Sequence, residues 1–259
     1  QVHGLVDSIK TAGDLSYMFA ITDGLMGGEI SNCTNSANVS ISDEYLAVEY
    51  GFFAIDNYGG RIDNCINYGN LIFENIVSSV GCIYAGGITS FNVEGEIVGC
   101  KNYGNITGFF ASGGICAVNY GTIKYCTNYG DILSPQDIVL EDFFIAYPSG
   151  GIYAVSESYT DDDTYRNTIV NCMNYGRINA GKLYSGGGIA GGGTIDLMPL
   201  NIHEDIINCS NYGEIIGGKY LGGILGVASP NTNISSCYNA GHVNSATSSG
   251  GIVGLVHDS

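Results

Sequence analysis

Short apolar segments recur along the chain in a fixed order, separated by polar and glycine-rich positions. The first kind places an isoleucine after two glycines, as in GGITS, GGICA, GGIYA, GGILG and GGIVG. The second ends in a cysteine three positions after an aliphatic residue, as in GEISNC and GTIKYC, and the third follows it, as in GNITG and GEIIG. Segments this short, each with one or two aliphatic positions, predict β-strands rather than helices.

The three segments together form a repeat, with seven complete copies and the start of an eighth. One copy cannot bury a core, but copies stacked on each other can, with equivalent strands pairing in parallel ~4.8 Å apart. The sequence therefore predicts an all-β parallel β-helix, or β-solenoid, of about seven three-stranded coils. Right-handed winding is expected, as for other parallel crossovers. Propeller blades of ~40 residues and leucine-rich repeats fit the spacing and composition less well.

The predicted domain organisation is a single solenoid over residues 17–259, preceded by an N-terminal cap segment at 1–16 that lacks the repeat. Variable spacing between copies predicts loop insertions near 134–149, 156–167 and 196–206. The last segment, at 250–255, begins a coil that is not completed. Because an open solenoid end exposes unpaired strand edges, we expect the native protein to continue as a longer parent chain.

One polar motif, Cys-x-Asn-Tyr-Gly, recurs between the second and third segments. A turn-forming residue precedes the cysteine in six of seven copies. We therefore place the cysteine inside the coil after one corner, the asparagine at a second corner, the tyrosine outside, and the glycine at a positive φ. Stacked asparagines can form hydrogen bonds along the stack. The predicted structural ladder consists of Cys33, Cys65, Cys100, Cys126, Cys172, Cys209 and Cys237 with Asn67, Asn102, Asn128, Asn174, Asn211 and Asn239, and the glycines are Gly69, Gly104, Gly130, Gly176, Gly213 and Gly241.

The nine cysteines cannot all pair within the chain, because their number is odd. The sequence contains no CxxC and no cysteine close to a histidine, which excludes the usual zinc and thioredoxin-like patterns. A metal or redox ladder stays open beside the simpler interpretation, in which free cysteines fill a narrow core as small apolar residues. Free thiols in an exported protein would fit an anaerobic bacterium.

Charge narrows the classes of partner. The chain has 8 basic and 25 acidic residues and a formal net charge of −17, which opposes binding to nucleic acid and to anionic membrane surfaces. No apolar run reaches the ~18 residues of a transmembrane helix, so no membrane insertion is expected in this segment.

Two features are candidate binding sites, beside the simpler interpretations of a structural ladder for the tyrosine column and a solvated loop for the acidic run. Tyrosines at the repeated outward position would form a column that offers contact area to a glycan or a protein, because tyrosine combines an apolar ring with a polar end. The acidic run Asp161, Asp162 and Asp163 is a candidate Ca²⁺ site, since hard oxygen ligands suit that ion. No other cofactor is predicted. The column residues are Tyr68, Tyr103, Tyr129, Tyr175 and Tyr212.

Residues 222–254 (GGILGVASPNTNISSCYNAGHVNSATSSGGIVG) resemble the GLUG-motif repeats of bacterial surface and adhesin-like proteins. The resemblance implies a secreted or surface-anchored repeat region and carries no catalytic residues. We therefore expect a non-enzymatic, adhesin-like segment, extracellular or on the bacterial cell surface, acting in adhesion, display or binding of a host or bacterial glycan or protein.

The alternative function is a carbohydrate-active β-helix enzyme of the polysaccharide lyase or glycosidase type. Such an enzyme needs carboxylates gathered around a groove. The acidic residues of the three insertions are the candidates, and the alternative requires them to converge: Glu141, Asp142, Asp161, Asp162, Asp163, Glu204 and Asp205.

Overall fold

The structure is a computed structural model, and it describes residues 8–11, 17–19, 21–41, 48–73, 83–107, 111–134, 148–156, 166–181, 185–193, 203–245 and 247–256. These residues form β-strands and turns and include no helix. Strands of successive coils pair in parallel and build four sheets that run the length of the described rod. The predicted parallel β-solenoid is confirmed. We number the coils 1 to 7 by their repeat cysteines, from Cys33 to Cys237.

Each sheet is made of equivalent strands, one above the other. The first sheet contains Tyr17–Phe19, Val48–Gly51, Ile83–Gly86, Ala111–Gly113, Ser149–Gly150, Ser185–Gly187, Tyr220–Gly222 and Ser248–Gly250. The second contains Thr22–Met26, Glu29–Ser31, Ala54–Tyr58, Arg61–Asp63, Thr89–Val98, Cys116–Lys124, Tyr153–Val155, Arg166–Val170, Ala190–Gly192, His203–Ile207, Leu225–Ala228, Thr232–Ser235 and Val253–Val256. The third contains Thr34–Asn35, Ile66–Asn67, Lys101–Asn102, Thr127–Asn128, Met173–Asn174, Ser210–Asn211 and Tyr238–Asn239. The fourth contains Ser8–Thr11, Asn38–Ile41, Leu71–Phe73, Ile106–Thr107, Ile132–Leu133, Ile178–Asn179, Ile215–Ile216 and Val243–Asn244.

The coil differs in one respect from the three strands predicted, because four sheets run along the rod. The glycine pair divides the first segment between two sheets: Gly86 ends a strand of the first sheet and Thr89 begins a strand of the second. The third sheet is built from strands of two residues, such as Lys101–Asn102. A strand of two residues contains no hydrophobic period, so the pattern could not reveal it.

Parallel pairing extends into the segment expected to be a cap. Ser8–Thr11 pairs in register with Asn38–Ile41 in the fourth sheet. The other residues of the predicted cap lie outside the described part of the chain.

Columns of aliphatic side chains fill the interior. Ile62, Ile97 and Ile123 stack in register on the second sheet and are buried. The isoleucine that follows the glycine pair is buried in the same way from Ile88 to Ile224. Leu71, Ile106 and related residues form the facing column on the fourth sheet. Because coils repeat at ~4.8 Å, each side chain contacts its equivalents above and below, which gives every coil the apolar contacts that it cannot make alone.

The corner before each cysteine has a left-handed backbone, with φ between 51° and 64° in all seven coils. Asparagine occupies four of these positions, in agreement with its tolerance of this conformation. This turn directs the cysteine inward, where Cys65, Cys100, Cys126, Cys172 and Cys209 are fully buried.

The glycines of the Cys-x-Asn-Tyr-Gly motif are needed for a different reason from the predicted one. None of Gly69, Gly104, Gly130, Gly176, Gly213 and Gly241 has a positive φ, so that prediction was wrong. A Cβ atom at these positions would lie 1.8–1.9 Å from a backbone oxygen of the preceding coil. Glycine therefore permits the close approach of successive coils at this corner.

The asparagines of the motif form a continuous hydrogen-bonded ladder inside the rod. Each Nδ2 donates to the Oδ1 of the asparagine in the next coil, over 2.7–2.9 Å, from Asn35 to Asn239. Each Nδ2 also donates to the carbonyl two residues later, which holds the turn, as in the 2.8 Å bond from Asn128 to Gly130. A fully buried amide is tolerated here because its hydrogen-bonding groups are paired.

We expect Asn128→Ala to lower the free energy of unfolding by about 3 kcal/mol, because it leaves one Asn102 N–H and the Gly130 carbonyl of the buried ladder without partners. Chemical denaturation measures the change. Asn35→Ala is the matched control, because Asn35 is half-buried at the first described step of the ladder and should cost about 1 kcal/mol. Equal losses at both positions would contradict a cooperative ladder.

Candidate functional site

The tyrosine column is positioned by the asparagine ladder. Side chains alternate between the two faces of a strand, so the residue after each buried asparagine points out of the rod. Tyr68, Tyr103, Tyr129, Tyr175 and Tyr212 are accordingly exposed, with 39–52% of their surface accessible. The ladder below them fixes the height of each coil, and therefore the spacing of the rings.

The five rings stack nearly parallel on each other. Successive ring centroids are 5.0, 4.6, 5.1 and 4.9 Å apart, and the angles between ring planes are between 2° and 12°. These separations add up to a strip about 20 Å long. Tyr238 continues the aromatic surface from a neighbouring position, with its ring at 61° to that of Tyr212.

Stacking determines what the strip can offer to a ligand. The rings of Tyr103, Tyr129 and Tyr175 each have a neighbouring ring on both faces. Their ring edges and hydroxyl groups therefore provide most of the accessible surface. A sugar that packs on an aromatic ring needs an open ring face, whereas a protein surface can pack against edges and form hydrogen bonds to hydroxyls. The geometry of the column consequently suits a protein better than a glycan.

Two further columns flank the tyrosines, a polar one on one side and one of mixed polarity on the other. Two residues after each tyrosine position lie Asn38, Asn70, Asn105, Asp131, Arg177, Glu214 and His242, and two residues before it lie Thr34, Ile66, Lys101, Thr127, Met173, Ser210 and Tyr238. The Asp131 side chain accepts a hydrogen bond from the backbone N–H of Arg177 at 2.9 Å, and Arg177 Nε lies 3.5 Å from a carboxylate oxygen of Glu214. We call the tyrosine column and its two flanking columns together the tyrosine face.

The tyrosine face carries no insertion. From the cysteine to the first apolar residue of the fourth sheet, six residues later, the spacing is the same in all seven coils. The differences in length between copies fall elsewhere, after the fourth-sheet strand or within the second sheet. One side of the rod is therefore a regular surface with one motif per coil.

The buried cysteines are thiols in a packed core. The eight cysteines of the described residues are free, and Cys126 Sγ lies 3.3 Å from the carbonyl of Lys124 and 3.6 Å from that of Ile97. Burial raises the pKa of the Cys126 thiol well above its ordinary value. The same holds for the pKa of Cys116, outside the repeat position. Elsewhere in the ladder burial also opposes ionisation, but hydrogen bonds from the neighbouring thiols lower the pKa of Cys100 and Cys172. Full burial and the contacts with backbone carbonyls favour the packing interpretation.

A second asparagine ladder, which the sequence interpretation missed, crosses the second sheet. Asn57, Asn92, Asn119 and Asn167 are linked Nδ2 to Oδ1 over 2.7–3.0 Å. The sequence contains one signal for this ladder, because an asparagine precedes a glycine by two or three residues in three consecutive coils, at Asn57, Asn92 and Asn119. In the coil after Asn167, Glu204 occupies the same register position.

Glu204 is a buried carboxyl group at the end of this second ladder. One of its oxygens accepts a hydrogen bond from the Thr232 hydroxyl at 3.3 Å, while its Oε1 and the Nδ2 of Asn167 have no hydrogen-bond partner among the described residues. Burial, with a smaller contribution from Asp205, raises the pKa of Glu204 to about 8. Glu204 thus lies inside the rod, where it serves no external groove.

Of the other acidic residues that were candidates for a catalytic groove or a Ca²⁺ site, only Asp205 lies in the described part of the chain. Asp205 lies on the outer side of its strand, 4.0 Å from Arg166 and hydrogen-bonded to Asn233. Because neighbouring strand residues face opposite sides, Glu204 and Asp205 do not converge. The candidate Ca²⁺ ligands Asp161, Asp162 and Asp163, and also Glu141 and Asp142, lie outside the described residues.

A further acidic group lies on the first and second sheets of the early coils. Glu49 is half-buried, and its pKa is raised to about 6 by burial and then by Asp56 and Asp23. Within the described ranges, no three His, Cys, Asp or Glu side chains are arranged to hold a metal ion. The described residues also include no helix that is long and apolar enough to span a membrane.

Comparison with known proteins identifies no family. No family model matches the chain, and no curated protein matches it. Among solved structures, a proposed immunoglobulin A1 protease from Bacteroides ovatus is similar, with a TM-score of 0.49 and 17% sequence identity over 86% of this chain and 69% of that one. The fold assignment therefore depends on the strand pairing described above, and the function on the geometry of the surface.

Proposed function

We propose that this chain is a non-enzymatic repeat region of a secreted or cell-surface bacterial protein, similar to GLUG-motif adhesins, and that the tyrosine face is its binding surface. The observation that carries the proposal is the uninterrupted column of five stacked, exposed tyrosines on a side of the rod without insertions. Exposed aromatic side chains in regular array mark interaction surfaces.

The proposed partner is a protein surface rather than a glycan, because stacking covers the ring faces that a sugar would need. Tyrosine loses little conformational entropy when it binds, so a row of tyrosines held by the backbone is already ordered for contact. A net charge of −17 favours basic or neutral partners and disfavours nucleic acid. An extracellular location on an anaerobic bacterium would agree with the buried free thiols.

We expect the double variant Tyr129→Ser/Tyr175→Ser to reduce adhesion of chain-coated beads to bacterial and host cells at least tenfold, because it removes two central members of the strip. Bead retention under flow measures the effect, and a glycan array measures sugar binding in parallel. Both tyrosines are exposed, so the free energy of unfolding should change little.

Tyr125→Asn is the matched control for the adhesion experiment. Tyr125 is also exposed in coil 4, but it occupies the left-handed corner outside the column, where asparagine stands in four other coils. The control should adhere like the parent chain. Equal adhesion of the double variant and the parent chain would refute the proposed binding surface.

A further inference from the structure

The tyrosine face repeats at the spacing of parallel β-strands, because each coil contributes one motif. Its ring separations of 4.6–5.1 Å match the ~4.8 Å distance between strands. A partner that meets this face coil for coil must have the same repeat along the same axis. An extended peptide lying along the rod advances ~3.3 Å per residue, so its side chains do not match the ~4.8 Å spacing of the coils. A second solenoid or a cross-β surface has the same ~4.8 Å repeat and matches the coils over any length.

We propose that the tyrosine face docks onto the same face of a second copy of this chain, with the two rods antiparallel and a two-fold axis between coils 4 and 5. The inference rests on the proposed function, because it names the partner of the same surface. Two-fold self-association is the commonest form of protein oligomer, and it requires that a surface be complementary to itself.

Charge complementarity and overlap of the tyrosines together select this arrangement. In an antiparallel pair about that axis, coil 4 of one copy faces coil 5 of the other, and each flanking column faces its equivalent. Asp131 then meets Arg177 of the second copy, twice in each dimer, and Tyr129 meets Tyr175. Moving the axis onto coil 4 would place Asp131 opposite Asp131, and moving it onto coil 5 would place Arg177 opposite Arg177. Both alternatives bring like charges together, which is unfavourable. An axis between coils 5 and 6 would place Arg177 opposite Glu214, but it would move Tyr129 opposite Ala240 and so reduce the contact between the two tyrosine columns.

A parallel pair lacks this complementarity. Its two-fold axis would run along the rods and exchange the flanking columns, so that Arg177 would face Met173 and Asp131 would face Thr127 of the same coil in the second copy. The antiparallel pair also places the half-buried Ile66 of coil 2 opposite the exposed Tyr238 of coil 7, and the small Ala240 opposite Tyr68. Apolar groups therefore meet at the margins of the strip, and the oppositely charged pairs lie near its centre.

The net charge of −17 on each copy opposes association at long range. At physiological ionic strength the screening length is ~8 Å, so the facing charges and the aromatic contact determine the outcome at close range. An antiparallel contact has a consequence for the proposed adhesion. Rods that project from two different cells would meet head-on in this orientation, so the same face could join the cells.

The test is sedimentation equilibrium of the chain over a dilution series at 0.15 M salt, a physiological ionic strength. We expect a monomer–dimer equilibrium. Asp131→Arg and Arg177→Asp should each raise the dimer dissociation constant at least about tenfold, because each brings like charges together. The combined variant Asp131→Arg/Arg177→Asp restores opposite charges and should return the dissociation constant to within about threefold of the parent value.

Circular dichroism of each variant establishes that the rod is folded, which separates loss of association from loss of structure. A chain that is monomeric at every concentration would overturn the inference, as would a dimer that is insensitive to the single reversals or is not restored by the combined variant. These outcomes are distinguishable from failure of the proposed function. A monomeric chain whose beads still adhere through Tyr129 and Tyr175 would leave the binding surface in place and exclude only this partner.

Discussion

Replacing Gly151 with alanine is expected to lower the free energy of unfolding by more than about 3 kcal/mol. Gly151 is the second glycine of a glycine pair, and its Cβ position lies 2.2 Å from the Gly188 carbonyl oxygen of the next coil and 2.3 Å from Cγ of Asn174. Neither neighbour can yield, because the first is backbone and the second belongs to the buried asparagine ladder. One added methyl group would therefore push two coils apart and also displace Asn174 in the asparagine ladder.

Gly251→Ala is the matched control, because Gly251 occupies the same repeat position with nothing within 4 Å of its Cβ site. We expect Gly251→Ala to change the free energy of unfolding by less than about 0.5 kcal/mol. Urea denaturation followed by far-UV circular dichroism compares the two variants. Similar small losses of unfolding free energy in both variants would contradict the proposed steric role of the glycine pair between neighbouring coils and the asparagine ladder.

The repeat was visible in the sequence because each of its positions has one physical role. Isoleucine three residues before a cysteine, and asparagine two residues after it, keep their spacing because a shift of one residue would turn every side chain to the other face of the strand. The buried cysteines, the first asparagine ladder and the outward tyrosines could thus be placed from alternation and turn residues alone.

The features that sequence reasoning missed depend on contacts between coils. A positive φ was predicted for the motif glycines, because glycine commonly adopts that conformation. In the structure, glycine is needed because a side chain would clash with a carbonyl of the preceding coil. The ladder from Asn57 to Asn167 was not recognised because its spacing to the core isoleucine varies from coil to coil, and its members come together only when the coils stack. Residues in the insertions, including Asp161, follow no repeat, so alternation cannot place them.

The direction of the second ladder makes an acceptor suitable at the position after Asn167. Each amide from Asn57 through Asn92 to Asn119 donates an Nδ2 hydrogen to the following coil, whereas the Nδ2 of Asn167 is left without a hydrogen-bond partner among the described residues. Glu204 has only acceptor oxygens when ionised and keeps one acceptor when protonated. The aligned amides would stabilise a carboxylate, but burial opposes the charge and raises the pKa of Glu204 to about 8.

This raised pKa makes stability dependent on pH in a defined direction. An unfolded glutamate has a pKa of ~4.3, so between pH ~4.5 and 8 the folded state retains a proton that the unfolded state has released. The free energy of unfolding should therefore decrease as pH rises through this interval and level off above pH 8, by a total on the order of 5 kcal/mol. Groups with lowered pKa values would give the opposite slope.

Glu204→Gln should remove the contribution of Glu204 to this dependence and stabilise the rod, while Glu49, whose pKa is raised to about 6, keeps a smaller contribution below about pH 6. Glutamine does not ionise, its carbonyl can accept from Asn167, and its amide can donate to the Thr232 hydroxyl, so the ladder is completed without burying a charge. We expect the variant to match the parent chain near pH 5 and to exceed its free energy of unfolding by several kcal/mol at pH 9. The exposed carboxylate of Glu214 provides the control, since Glu214→Gln should follow the parent curve. If Glu204→Gln instead lowers stability at pH 9, the ionised carboxylate is a favourable partner of the amide ladder, and desolvation is not the dominant effect at this site.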